Sequence, residues 1–461
     1  MKPLLVRRAE KMPEAPHIPV AIVGAGACGL TAALRLRDLG VECLLLERDA
    51  SPTGSTALSS GFIPAAGTRL QKSLGIEDSL PLFAQDIQAK AHGAAAQHLV
   101  DAYVAAVPQA IDALELGHGI PFEILDGFLY PGHHARRMHA VAERTGAGLM
   151  ARLERAANSA GADILTDAVV RELWIDPANR ILGLSYERPD GTLEHLACDV
   201  LLLACNGFGG NTAKVRELLP AMHEAVFAGH VGNDGSAITW GRQLGARLAD
   251  LGAYQGHGSW ATPQGALMSW AVMMEGGVQI NAAGARFHDE TQGYSEAAVF
   301  VLDQPGRLAW NVFDAPLLEM ARTFPDFVTL EKVGAVRTAA DEAALARVIG
   351  CEASALHATL SVVQPGSPDI FGRSFRRALA APFYAVKVTG ALFHTQGGLD
   401  IDGACRVLAN DGAPFGNLLA AGGAARGVSG NAVWGYLSGN GLLSAIGGGW
   451  IAAGTAAAQL A

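Results

Sequence analysis

The 461-residue sequence contains no C-x-x-C pair, since its six cysteines (Cys28, Cys43, Cys198, Cys205, Cys351 and Cys405) are scattered. That spacing gives no metal site, no haem attachment and no disulfide framework. Cysteines in apolar strand-like or helix-like contexts read instead as small buried residues of a reducing compartment. There is also no Lys/Arg-rich run, and a formal net charge of −10 leaves no electrostatic footprint for nucleic acid. An acidic total still permits an anionic substrate in a locally basic pocket. The opening residues, MKPLLVRRAEKMPEAP, lack the apolar core of a secretory signal, so the expected address is cytoplasmic.

Charge is scarce overall, at 17% of residues against 50% hydrophobic. A chain of this length and composition can bury a large core, as two domains or as one domain carrying an insertion. Charge is absent altogether from Gly427 to Ala461, a stretch long enough to span a bilayer. Its nine glycines, with Asn431 and Asn440, break the apolar character, so the expectation is a buried glycine-rich helix, starting near Gly430 to Gly435, and no membrane span. No internal repeat and no low-complexity tract is present.

What the sequence does contain is a βαβ pattern from Pro19 to Asp49. An apolar β-branched run leads into Gly24, Gly26 and Gly29 in G-x-G-x-x-G spacing, then a helix-period segment, then a second apolar run ending at Glu47. Gly24 permits the tight turn, Gly26 lets the backbone approach a pyrophosphate, and Gly29 lets helix and strand pack closely. The phosphate would sit on the helix N-terminus, and Glu47 would accept hydrogen bonds from an adenosine ribose.

Residues 1 to 17 read as a charged, poorly structured leader. After Arg48 comes the small-residue loop Ser51 to Thr68, in which Ser55, Thr56, Ser60 and Gly61 are candidates to meet the same cofactor. Residues 78 to 118 have helical spacing, GFLYPGHHARRMH (127 to 139) breaks it, and a further helix starts at Thr145 or Gly146. Strand-like runs follow at 163 to 173, 181 to 187 and 198 to 204, the last entering a second glycine turn, CNGFGGN, with Asn206 and Gly207. Near residue 250 the texture changes to Trp, Met and other large side chains. The expected organisation is a dinucleotide-binding domain over 18–256, an inserted domain over 257–388 and a return to the first domain over 389–461.

In order along nearly the whole chain, GAGACGL, ERD, GSTALSSG, ACNGFGGN, GNDG with GARLAD, QGHGS, GARFHDET, PFYAVKVTGALFHTQGGL and AAGGAARGVSGNA resemble one flavoprotein family. It contains soluble fumarate reductases, succinate dehydrogenase flavoproteins and 3-ketosteroid dehydrogenases. The resemblance implies an α/β fold, with a Rossmann-like FAD-binding domain and an inserted α+β cap domain that carries substrate residues. It also implies FAD, held by the glycines, Glu47 and the loop above together with Asn233, Asp234, Gly423, Gly430 and Asn431. Succinate dehydrogenases carry a histidine for covalent flavin in the loop after the acid; Ser55 and small residues stand there here, implying noncovalent FAD.

For the active site, the resemblance matches His257 and His394 to the histidines that hold substrate carboxylates in fumarate reductases. It places Arg426 near the carboxylate-binding arginine. Eight residues after Arg286, where fumarate reductases have a proton-donating arginine, stands Tyr294, which resembles the ketosteroid dehydrogenase base. The carbonyl-holding tyrosine of the steroid enzymes has Gly427 in its approximate place. Arg286 and Arg426 are the cations that could favour a Tyr294 phenolate. The leading expectation is dehydrogenation of a C–C bond beside a carbonyl, in a keto acid or cyclic ketone. The alternatives are reduction of a fumarate-like enoate and, from a different class, flavin binding without turnover. No haem motif, iron–sulfur pattern or second complete fingerprint is present, so the expected electron acceptor is external.

Overall fold

The computed structural model describes residues 2–126, 129–366 and 368–461. Gly127 and Phe128, which open the GFLYPGHHARRMH stretch, therefore lie outside the described residues. The chain forms two compact units. The first comprises Met1–Leu218, Gly229–Tyr254 and His394–Ala461, and the second Leu219–Ala228 with Gln255–Phe393.

The first unit is built on a nine-stranded sheet. Its centre is parallel, with His17–Val23 between Leu193–Leu203 and Cys43–Leu46, and Pro414–Ala420 on the far side of Leu193–Leu203. These strands are apolar and buried at their carboxyl ends, as expected of parallel strands covered on both faces. Register aligns those ends: Val23 pairs with Leu46 and Leu203, and Leu203 pairs with Ala420. The turns that follow, at Gly24, Glu47, Ala204 and Ala421, therefore leave one edge of the sheet, where ligands of open α/β sheets bind.

The leader differs from the expectation. Leu5–Arg8 is a strand paired in parallel with Val169–Ile175 at the sheet edge, with the exposed Arg7 side chain bound to Glu172 across the pair. Thr145 does cap the helix Gly146–Ser159, its side chain accepting the Gly148 N–H.

The uncharged C-terminal segment also starts its helix elsewhere. A start near Gly430 to Gly435 is not what forms; those residues are turns with a single 3₁₀ turn at Val433–Gly435. The helical run begins at Asn440, after Gly439 in a left-handed conformation, and continues to Leu460. The cause is a repeated Ser-Gly-Asn: Ser429-Gly430-Asn431 makes a turn, and Ser438-Gly439-Asn440 makes the helix start. Gly439 is required there, since a Cβ would lie 2.7 Å from the Pro64 ring. Asn440–Leu460 is long and apolar enough to cross a membrane by length and composition, and half of its most apolar window is buried in the protein.

The second unit is built on a seven-stranded sheet. The long strand Phe383–Thr395 lies between Tyr254–Ala261 and Ala309–Asp314, and its last two residues count with the first unit. Separate apolar clusters form around Phe313 and Phe327 and around Leu345 and Leu356.

Candidate active site

In the first unit, the helix Ala27–Asp38 opens at Gly26 with no side-chain cap, leaving backbone N–H groups for an anion. Gly24 and Gly29 are fixed by packing. A Cβ on Gly24 would lie 2.6 Å from the Ala204 carbonyl oxygen, and one on Gly29 would lie 2.0 Å from that of Gly24. Gly26 is different, because a Cβ there would meet nothing closer than Thr56 Oγ1 at 3.8 Å. Its lack of a side chain keeps a space open at the helix start. Thr56 Oγ1 also accepts the Ala27 N–H at 3.3 Å.

Glu47 is buried, and its carboxylate accepts the Ala25 N–H at 2.9 Å and the Asp49 N–H at 3.1 Å. Burial pushes its pKa up, against the lowering effect of those two bonds. Arg48 donates to the Gly232 carbonyl at 2.7 Å and pairs with Asp234 at 3.3 Å. Ser55 Oγ accepts from both Asn206, at 2.9 Å, and Asn233, at 2.8 Å. The Gly207 N–H returns to the Asn206 side chain, and a Cβ on Gly423 would collide with that side chain at 2.2 Å. The loop after the acid, the second glycine turn and the GNDG turn thus meet at one place.

The other candidates have these surroundings. Ser60 is exposed, and Gly61 packs on the Thr145 carbonyl. Gly430 packs on Ala94, and Asn431 accepts the Gly252 N–H at 2.7 Å.

His394 ends a chain of buried hydrogen bonds. Asn440 Nδ2 donates to Ser429 Oγ at 3.0 Å, Ser429 donates to Gln396 Oε1 at 3.0 Å, and Gln396 Nε2 donates to His394 Nδ1 at 2.9 Å. This order makes Nδ1 an acceptor and puts the ring proton on Nε2. The longer 3.3 Å approach of Nδ1 to the Thr395 carbonyl would need the opposite tautomer, which the shorter bond disfavours. Burial lowers the His394 pKa to about 4, so the ring is neutral at neutral pH. Tyr436 lies edge-on to it, with ring centroids 5.6 Å apart.

In the second unit, the glycine at 293 breaks the chain and Tyr294 starts the helix Tyr294–Leu302. The His257 ring stacks on Tyr294, at 5.0 Å, and on Phe393, at 5.6 Å, with Trp270 edge-on. His257 Nδ1 accepts the Ser259 N–H at 3.1 Å, so Nε2 carries the proton. Burial lowers its pKa to about 3. Both histidines are therefore uncharged Nε2–H donors.

The two arginines are committed to carboxylates. Arg286 is buried and binds Glu290 through two nitrogens, at 3.0 and 2.6 Å, and pairs with Asp369. Arg373 holds the same Glu290 at 2.6 Å. The R-F-H-D-E stretch thus builds a buried ionic cluster. In the first unit, Arg426 donates to Asp250 at 2.6 and 3.3 Å and to Asp400 at 3.4 Å.

A profile of the family described as FAD binding domain matches residues 19–442. The chain belongs to this family.

Its cofactor is FAD, and the residues fit it. Gly26 keeps open a space that a side chain would fill, at an uncapped helix start beside a buried acid. Asn440 Oδ1 and Ser444 Oγ, one helical turn apart, are buried without a partner among the described residues, as expected where a ligand supplies polar groups. The chain is 26% identical over 435 residues to a protein named "Probable fumarate reductase Ifc3" from Shewanella frigidimarina, covering 93% of this chain and 72% of that one. It is 24% identical over 511 residues to 4-oxocyclohexanecarboxylate 2-dehydrogenase from Sinomonas cyclohexanicum, covering 88% and 87%. The fold is also that of a 3-ketosteroid dehydrogenase from Rhodococcus jostii, with a TM-score of 0.80 at 24% identity over 99% of this chain and 100% of that chain. The chain is an FAD-dependent oxidoreductase of the class acting on carbon–carbon bonds.

Within this FAD family member, sequence reasoning missed Tyr436, Gln396, Ser429 and Asn440. The repeated Ser-Gly-Asn was the available signal: read from its second copy, the helix start falls at Asn440, and Tyr436 lies just before it. Gly427, which the resemblance sets in the approximate place of the steroid enzymes' tyrosine, has its N–H on the Gln396 carbonyl.

Proposed function

We propose that the chain dehydrogenates a C–C bond next to a carbonyl, in a cyclic ketone or keto acid. The observation that carries this reading is the protonation and pairing of the polar groups. His257 and His394 are neutral donors, and Arg286 and Arg426 are spent on carboxylates. A neutral N–H donor suits a carbonyl oxygen, on which charge grows only as the α proton leaves, so it binds the transition state better than the ground state. A dicarboxylate calls for unspent cations. Bound FAD supplies the hydride acceptor. In this reading Tyr294 takes the α proton, His257 and His394 bind and polarise the activating oxygen, and Arg286 and Arg426 position their surroundings. The name of the Sinomonas relative, a dehydrogenase of a cyclic keto acid, supports the same substrate class.

The reverse reaction, reduction of an enoate, is the second reading, favoured by the fumarate reductase name of the Shewanella relative. We further assign noncovalent FAD, because Ser55 occupies the covalent-histidine loop and its hydroxyl is engaged by two asparagines. A cytoplasmic address and an external electron acceptor complete the proposal. The test is an anaerobic screen of saturated and unsaturated ketones and carboxylates, read by flavin absorbance. Bleaching by a saturated ketone supports it. Bleaching by none, with the reduced enzyme reoxidised only by enoates, returns the second reading, and no response to any leaves a flavin binder.

A further inference from the structure

Outside the residues already assigned, the most heavily built polar site of the first unit surrounds Arg137. Its guanidinium is wholly buried, holding Asp78 at 3.0 and 2.9 Å and Asp86 at 2.5 Å, with Phe83 across its face. Asp86 also accepts the His134 backbone N–H at 3.0 Å and His134 Nδ1 at 2.5 Å. Three ionic groups out of water are costly unless every donor is used. Such a cluster would be an expensive way merely to join a loop to a helix.

One further donor of Arg137 points to its use. Nη1 lies 3.3 Å from His133 Nδ1, and an arginine nitrogen can only donate, so Nδ1 accepts and the His133 proton sits on Nε2. That Nε2–H meets the Ser438 carbonyl at 2.9 Å. Burial and the adjacent guanidinium keep the ring neutral, with its pKa lowered to about 4. Ser438 directly precedes Gly439 and Asn440, where the C-terminal helix starts, and the Asn440 side chain leads through Ser429 and Gln396 to His394. The turn is thus held from one side by the Arg137–His133 pair and from the other by the chain ending at His394.

We infer that His133, oriented by Arg137, is a positioning residue that fixes the Ser438–Asn440 turn, and through it the helix start and the His394 hydrogen-bond chain. The link from the turn to substrate rests on the role given to His394 above; the link from His133 to the turn does not.

Two substitutions separate the parts. H133N keeps an acceptor for Arg137 at the Nδ1 position but is too short to reach Ser438. H133Q places an amide N–H near the Nε2 position and restores the reach. Backbone hydrogen exchange of the FAD-loaded protein reads the turn without turnover. In H133N, amides over 439–443 should exchange about tenfold faster, with those of the central strands unchanged, and H133Q should return to within about threefold of wild type. Unchanged exchange over 439–443 in H133N, or the same acceleration everywhere, overturns the inference. If H133N does not fold, exchange in H133Q as fast as in G439V, whose side chain fits neither the positive φ nor the space beside Pro64, overturns it equally. The substrate link is read separately as KM: a raised KM in H133N supports it. Faster exchange with KM unchanged leaves the positioning of the turn intact and shows that it is not transmitted to substrate through His394.

Discussion

The imidazole of His257 and the phenol of Tyr294 lie nearly parallel, their ring centroids 5.0 Å apart and their planes inclined by 19°. Phe393 also stacks on the imidazole, with ring centroids 5.6 Å apart, and the imidazole Nδ1 is taken by the Ser259 N–H. The Nε2–H is therefore the donor of the ring, and under the proposed function it is the group that meets substrate. One stack thus sets an uncharged donor beside a phenol, the pair needed to polarise a carbonyl and move its α proton.

Replacing His257 by alanine removes that donor. Loss of one donor to a developing oxyanion costs about 10²–10³-fold in rate, and kcat should fall by that order with FAD still bound. Steady-state assays with an active ketone check this. A change confined to KM would mean that His257 holds the substrate without favouring the transition state.

Gly26→Ala separates cofactor binding from folding. Its backbone has φ −73°, which any residue adopts, and a Cβ meets only Thr56 Oγ1 at 3.8 Å. The apoprotein should keep its thermal midpoint while FAD affinity drops at least about tenfold, measured by flavin fluorescence on titration. Gly29→Ala, with its Cβ 2.0 Å from a carbonyl oxygen, should instead lower the midpoint of the apoprotein itself.

Glu47→Gln tests the acid. The carboxylate ties the glycine turn at Ala25 to Asp49. An amide loses the charge assistance of these bonds and of those proposed to the ribose. Charge-assisted bonds contribute about 1.5–3 kcal/mol each, so FAD retention on gel filtration should weaken clearly. Full retention would remove Glu47 from the adenosine site.

Acid stability follows from the buried histidines. His133, His139 and His394 have pKa values lowered to about 4, and His257 to about 3, chiefly by burial. The unfolded chain takes up protons near the ordinary value of 6.5 while the folded chain does not. Stability is therefore full above that value and falls as pH drops through the interval towards about 4, by up to about 1.4 kcal/mol per pH unit for each histidine. Urea midpoints measured across this range check it. A flat profile between these limits would mean that these rings are accessible to protons in the folded protein.

Much of the first unit was legible because its signals are local. Gly24, Gly26, Gly29 and Glu47 act through backbone geometry within a single βαβ unit, so their spacing carries their roles. Ser55 and Asn206 stand in glycine-rich turns after buried strands, legible as one pocket, whereas Asn233, which meets the same Ser55 hydroxyl, was anticipated only by the family resemblance. The helix start expected near Gly430 to Gly435 rested on glycines alone, and two Ser-Gly-Asn triplets nine residues apart offer the same local chemistry. The choice between them is made by the Pro64 ring against Gly439 and the Ala94 backbone against Gly430, both distant in sequence. Arg286 and Arg426 illustrate a further limit, since an arginine in a motif reads alike whether its partner is a substrate or Glu290.

The central claim is that Tyr294 moves the α proton beside a neutral His257, and anaerobic stopped-flow reduction of the flavin across pH tests it most directly. A tyrosine has an ordinary pKa near ~10, so as the base it should give a wild-type rate that rises with pH. Tyr294→Phe should slow reduction by about 10²–10⁴-fold and abolish that rise while FAD stays bound. Equal rates for the two proteins at every pH would contradict the account and give the proton to another group.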